Sequence, residues 1–131
     1  MTATAAEIVE FPMTATPIPA PAAVTEPTVL EVDARTLKAW MDAGEALLVD
    51  VREIGEYEIE RIAGAMLMPL SFFDPENFPV LPGKKLVLMC AIGKRSTAAA
   101  RQLLNAGFAE ATNLKGGINA WKDAGLPTET D

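Results

Sequence analysis

The 131-residue chain has no histidine and a single cysteine, Cys90. Without histidine, every mechanism that sets an imidazole base beside a nucleophile is removed, the cysteine-protease and transglutaminase types included. With one cysteine there is no internal disulfide, and no metal site can be assembled from Cys and His ligands. A lone thiol fits a reducing compartment, so a cytoplasmic location is expected. Bases are scarce too: 11 against 18 acids, a net charge of −7. That balance argues against a nucleic-acid partner, because phosphate contacts need basic surface. No apolar run approaches the roughly 18 residues of a membrane span. No Lys or Arg precedes Arg35, so neither a secretory leader nor a membrane partner is expected.

What remains is a chain that is 50% hydrophobic and 22% charged, ordinary for a globular domain. Residues 1–27 stand apart, with seven Ala, five Thr, five Pro and only Glu7, Glu10 and Glu26 charged. Prolines at this density stop a helix, so the stretch reads as an Ala/Thr/Pro-rich flexible tail. A docking segment around Ile8, Val9 and Phe11 is its functional alternative. Residues 28–131 then form one folded domain.

That domain alternates in character. Val29-Leu30 is an extended start, and Asp33 caps a helix whose stripe is Leu37, Trp40 and Met41, stopped by Gly44. Residues 46–51, ALLVDV, read as a buried strand because they are apolar without alternation. A helix over 53–61, a strand over 65–68, and a loop with one helical turn over 71–83 follow. Strands are expected at 86–89 and 111–114, and helices at 96–106 and 118–124. Strand and helix in turn imply a mostly parallel sheet with helices on both faces. Ligands of such sheets bind at the carboxyl ends of the strands, which is where Cys90 falls.

The stretch CAIGKRS, residues 90–96, carries the chemistry. Six residues must turn between the strand and a helix starting at Ser96, and Gly93 can take the dihedral such a turn needs. Successive N–H groups there make an anion-binding concavity, helped by the helix dipole. Lys94 and Arg95 add two charges, and all of these favour thiolate at Cys90. A lone cysteine is otherwise a small buried hydrophobe; the strand, glycine loop, paired cations and helix start together favour function. A cysteine-type phosphatase loop, C-x5-R, is one residue longer, with Ser96 where its arginine would stand. The shorter cradle suits one sulfur atom better than a phosphate.

Three phrases in order resemble the rhodanese (sulfurtransferase) family. They are LLVDVREIGEYEIERIAGAMLMPL at 47–70, VLMCAIGKRSTAAARQLLNAGF at 87–108 and NLKGGINAWKDAGLP at 113–127. The resemblance implies a three-layer rhodanese-like α/β fold and a Cys90 nucleophile that takes a sulfane sulfur from thiosulfate or a persulfide donor. The Cys90 persulfide would pass it to cyanide or a thiol acceptor, with no metal or cofactor. It implies that Ala91, Ile92, Gly93, Lys94, Arg95 and Ser96 hold the persulfide and an anionic donor. Asp50, Arg52 and Glu53 match a signature with a structural ion-pair role. Gly116 and Gly117 would permit close backbone approach, and Trp121 would be core. The family's usual histidine is Arg61 here, and its usual proline is Ala63. Phe72, Phe73 and Phe78 either line the mouth or pack in the core. The partners implied are a small-molecule donor and a thiophilic acceptor, which can be a thiol or persulfide-carrying protein. The alternative is a non-catalytic or partner-dependent sulfur-relay or binding module.

Overall fold

The computed structural model describes residues 28–130, so the tail and its candidate docking segment lie outside the described residues. Strand β1 (Leu30–Val32) leads to helix α1 (Ala34–Asp42), whose cap is Asp33, accepting from the Thr36 N–H at 2.7 Å. Strand β2 (Ala46–Asp50), helix α2 (Ile54–Ile59) and the short strands β3 (Glu60–Arg61) and β4 (Met66–Leu67) follow. Two 3-10 turns, Leu70–Phe72 and Pro75–Asn77, occupy the expected loop. Strand β5 (Lys85–Met89), helix α3 (Lys94–Asn105), strand β6 (Thr112–Leu114), helix α4 (Gly117–Asp123) and strand β7 (Glu129–Thr130) complete the order.

Five strands form one parallel sheet in the order β1-β6-β5-β2-β4. Alternation along each strand sorts side chains between its two faces. Leu48, Val87 and Met89 join Leu37, Ile118 and Trp121 under α1 and α4. Val49, Leu88 and Cys90 join Ala99, Ala100 and Leu103 of α3 on the other face. The central strands read as unbroken apolar runs because both faces are covered. Trp121 is core, 2% exposed, its indole N–H donating to the Pro127 carbonyl at 2.8 Å. Burying each such large side chain stabilises the fold by about 1.5–3 kcal/mol. Among the described residues no helix is long and apolar enough to cross a membrane.

Two elements depart from the sequence expectation. The helix expected over 53–61 ends at Ile59, because Glu60 is extended (φ −158°, ψ 136°). Glu60 and Arg61 then pair antiparallel with Glu129 and Thr130, a two-residue ladder that no periodicity signals. The helix expected at Ser96 begins two residues earlier, at Lys94. The turn is therefore shorter than the six residues expected. Gly93 makes this possible by taking φ +106° at the N-cap, a left-handed conformation that costs glycine little.

The sheet order has a consequence for the site. From β5 the chain crosses to β6 on one side, and from β2 it crosses to β4 on the other. The switch point lies between β2 and β5, and a crevice at their carboxyl ends is where such sheets bind ligands. Asp50 pairs in register with Met89, and the Val51 N–H donates to the Met89 carbonyl at 2.9 Å. Residues 50–56 and 90–96 therefore leave the sheet side by side.

Candidate active site

Cys90 is the first residue after β5 and is fully buried. Its Sγ accepts from the Gly93 N–H at 3.0 Å and lies 3.4 Å from Ser96 Oγ. Ser96 itself is fully buried in the first turn of α3, facing the sulfur. Burial pushes the thiol up, but hydrogen bonds from the Ser96 hydroxyl and from the Ser96, Gly93 and Ile92 N–H groups outweigh it and hold Cys90 below its ordinary value. The main lowering influences are hydrogen bonds, not the two cations. These donors exist because the first turn of a helix leaves its N–H groups without intrahelical partners. They point at the sulfur because Gly93 folds the chain back in three residues.

Behind Ser96 the polar chain continues. Its hydroxyl is hydrogen-bonded to Asn113 Oδ1, and Asn113 Nδ2 donates to Glu31 Oε2 at 3.3 Å. One hydroxyl hydrogen serves one acceptor at a time, and an ionised sulfur attracts it more strongly than an amide oxygen does. Replacing Ser96 with alanine is expected to move the Cys90 titration upward, read from the thiolate's ultraviolet absorbance against pH. At a pH below that midpoint, sulfur loading slows roughly tenfold, the worth of one hydrogen bond to a charged group. An unshifted titration contradicts the assignment.

The loop is clamped from behind by α4. The Ile118 N–H donates to the Cys90 carbonyl at 2.9 Å and the Asn119 N–H to the Ala91 carbonyl at 3.2 Å. Gly117 makes this approach possible: a Cβ there would sit 2.3 Å from the Cys90 carbonyl oxygen and 2.5 Å from Ala91 backbone atoms, at φ +63°. Gly117→Ala is expected to cost about 1–3 kcal/mol by overpacking, seen as a lower denaturant midpoint. An unchanged midpoint means the loop has slack that the geometry denies it.

The charged residues divide into two groups. Asp50 is fully buried and Arg52 is 5% exposed. Asp50 Oδ1 accepts from the Arg52 N–H and Nε, both at 3.0 Å, and Oδ2 from Nη2 at 2.8 Å. Glu53 is joined to Ser71 instead, its Oε1 accepting from the Ser71 hydroxyl at 2.7 Å. Arg95 turns to Glu56 in a two-pronged pair, Nη1–Oε1 2.7 Å and Nη2–Oε2 2.9 Å. Hydrogen bonding from Arg95 is the chief reason the Glu56 carboxyl titrates at about 2. The pair is thus fully present above the ordinary carboxylate range and is lost only as pH falls through about 2. Among the described residues Lys94 is exposed and has no ion-pair partner. Glu56 was not singled out in the sequence; its signal is an acid three residues after the Asp-Val-Arg-Glu segment.

Of the aromatic candidates, Phe78 is buried and packs at a tilt against Phe73 (5.4 Å between centroids) and edge-to-face with Phe108 (5.8 Å). Phe72 is 80% exposed, and Ile92 in the loop is 57% exposed. An apolar cavity lined by Leu30, Leu47, Val80, Leu86 and Phe108 lies at the amino ends of the strands, away from the thiol.

The sequence profile of the Rhodanese-like domain matches residues 33–124. An uncharacterised protein of Synechocystis sp. is 41% identical over 101 residues, 77% of this chain and 56% of that protein, so the chain spans about half of that relative. A thiosulfate sulfurtransferase of Vibrio cholerae is 30% identical over 104 residues, 76% of this chain and 94% of that one. Among solved structures, a rhodanese-related protein from Thermoplasma volcanium superposes with a TM-score of 0.67 at 28% identity, covering 78% of this chain and 99% of that chain.

Proposed function

The chain belongs to the rhodanese-like family, and from that premise we propose that it is a sulfurtransferase whose Cys90 thiolate carries a sulfane sulfur between a donor and a thiophilic acceptor. With thiosulfate, the thiolate attacks the outer sulfur, the S–S bond breaks, and sulfite departs with the electron pair. Cyanide or a thiolate then attacks the outer sulfur of the Cys90 persulfide, giving thiocyanate or a new persulfide and restoring the thiolate. Neither step moves a proton, so no base is required and the missing histidine is no obstacle. What the steps do require is a stable anion on sulfur before and after transfer. The observation that carries the reading is the Cys90 sulfur held by the Gly93 N–H and Ser96, with its titration lowered against the effect of burial.

Thiosulfate is chosen as the first donor on the family resemblance and the Vibrio cholerae relative's name. A free thiol used this way fits a reducing cytoplasm. The test is thiocyanate release by the purified chain from thiosulfate and cyanide. Turnover supports the reading, and none with either thiosulfate or a low-molecular-weight persulfide overturns the catalytic form of it. A second reading, a sulfur-relay module working only within a complex, is favoured by the exposed Ile92 and Phe72. It predicts loading of Cys90 only when a persulfide-carrying protein is present.

A further inference from the structure

The arginine of the active loop is already engaged. Both terminal nitrogens of Arg95 are taken by the two oxygens of Glu56, the fork-to-fork geometry that holds a guanidinium most firmly. Glu56 is anchored in turn, since its Oε1 also accepts from the Glu53 N–H at 3.0 Å, at the start of α2. The guanidinium stands near enough to Cys90 for the thiolate's charge to act on it. Its own charge is nevertheless answered before any donor arrives. Residues 50–56 and 90–96, which leave the sheet side by side, carry three acids and three bases. A dianion entering there meets no net positive charge and must still approach a thiolate. Two of the exposed side chains of these segments are apolar, Ile54 at 58% and Ile92 at 57% exposed, and the third is Lys94, a single ammonium that acts as a point charge rather than a fork.

We propose that Glu56 is a specificity-determining residue: by holding Arg95 it withdraws the guanidinium from the donor, so the site takes sulfane-sulfur donors bearing one negative charge ahead of dianionic thiosulfate. This rests on Cys90 being the sulfur acceptor. Two donors with the same reactive bond separate charge from chemistry. Thiosulfate transfers its outer sulfur with loss of sulfite. The methanethiosulfonate anion transfers its outer sulfur with loss of methanesulfinate. In each, the thiolate becomes a persulfide anion, one S–S bond forms as one breaks, and neither an oxidant nor a proton is consumed.

The experiment compares the wild-type chain with Glu56→Gln, measuring thiocyanate release from each donor with cyanide as acceptor. The glutamine oxygen can still accept from the Glu53 N–H while the counter-charge is gone. The expected result is a thiosulfate KM lowered roughly tenfold in Glu56→Gln, with kcat little changed and the methanethiosulfonate KM within about threefold of wild type. The gain shrinks at high salt. A thiosulfate KM that stays put or rises in a folded Glu56→Gln variant overturns the inference. Salt gives a second arm: with Lys94 as the exposed cation of these segments, the wild-type thiosulfate KM should rise with salt less steeply than that of Glu56→Gln, and an equal or steeper rise in the wild type overturns the inference too. Absence of thiocyanate from both donors in both proteins overturns the Cys90 reading itself, a failure distinct from turnover without discrimination.

Discussion

Cys90→Ser is expected to lose all sulfur transfer while keeping the fold. A serine hydroxyl in this loop meets the same donors, Gly93 N–H and Ser96 Oγ, yet its proton is held far too tightly for these to ionise it. No second thiol and no imidazole exist in the chain to substitute. The variant keeps a small buried side chain at the end of β5, so α3 and α4 retain their packing. Circular dichroism should therefore match wild type, with thiocyanate release at background. Residual turnover above background in a folded variant means that the nucleophile has been misassigned.

The largest stability effect is expected at Arg52. Asp50 is completely buried, and its side-chain partners are Arg52 N–H, Nε and Nη2. Arg52→Ala removes the guanidinium bonds and strands a carboxylate in the interior, a change that costs about 3–5 kcal/mol. The same substitution frees the Glu60 carbonyl, to which Nη2 donates at 2.7 Å, loosening the start of the β3–β7 ladder. Urea unfolding measures the loss directly. A double variant, Asp50→Leu with Arg52→Met, removes both charges and should recover part of it, because two apolar side chains need no partner. A loss below about 1 kcal/mol in Arg52→Ala would contradict a structural pair.

Much of the architecture was legible because it is written in short-range patterns. Unbroken apolar strands such as Leu47–Val49 and Leu86–Met89 announced a sheet covered on both faces, and Asp33 and Gly44 bracketed α1. The position of Cys90 at a strand end followed from the apolar run Leu86–Met89 that ends just before it. What was not legible depends on contacts distant in sequence or on a single dihedral. Arg95 and Glu56 are 39 residues apart, and nothing in a linear pattern says that this cation will be claimed by a carboxylate of α2, with three strands between the two helices in sequence. The start of α3 turns on Gly93 alone: its left-handed φ lets Lys94 and Arg95 become helix rather than loop. The β3–β7 pairing joins two-residue strands with no periodicity to detect. Ser96 reads in the sequence as a helix start and as part of the loop that holds the persulfide, but its complete burial and its 3.4 Å distance from the sulfur depend on how α3 packs.

The central claim is that Cys90 holds a transferable sulfur, and intact mass of the reductant-free protein tests it most directly. After brief treatment with thiosulfate, and separately with methanethiosulfonate, the wild-type chain is predicted to gain the mass of one sulfur atom, to lose it on adding cyanide, and to show no gain in Cys90→Ser. An unchanged wild-type mass with both donors, while the thiolate still titrates, would contradict the account.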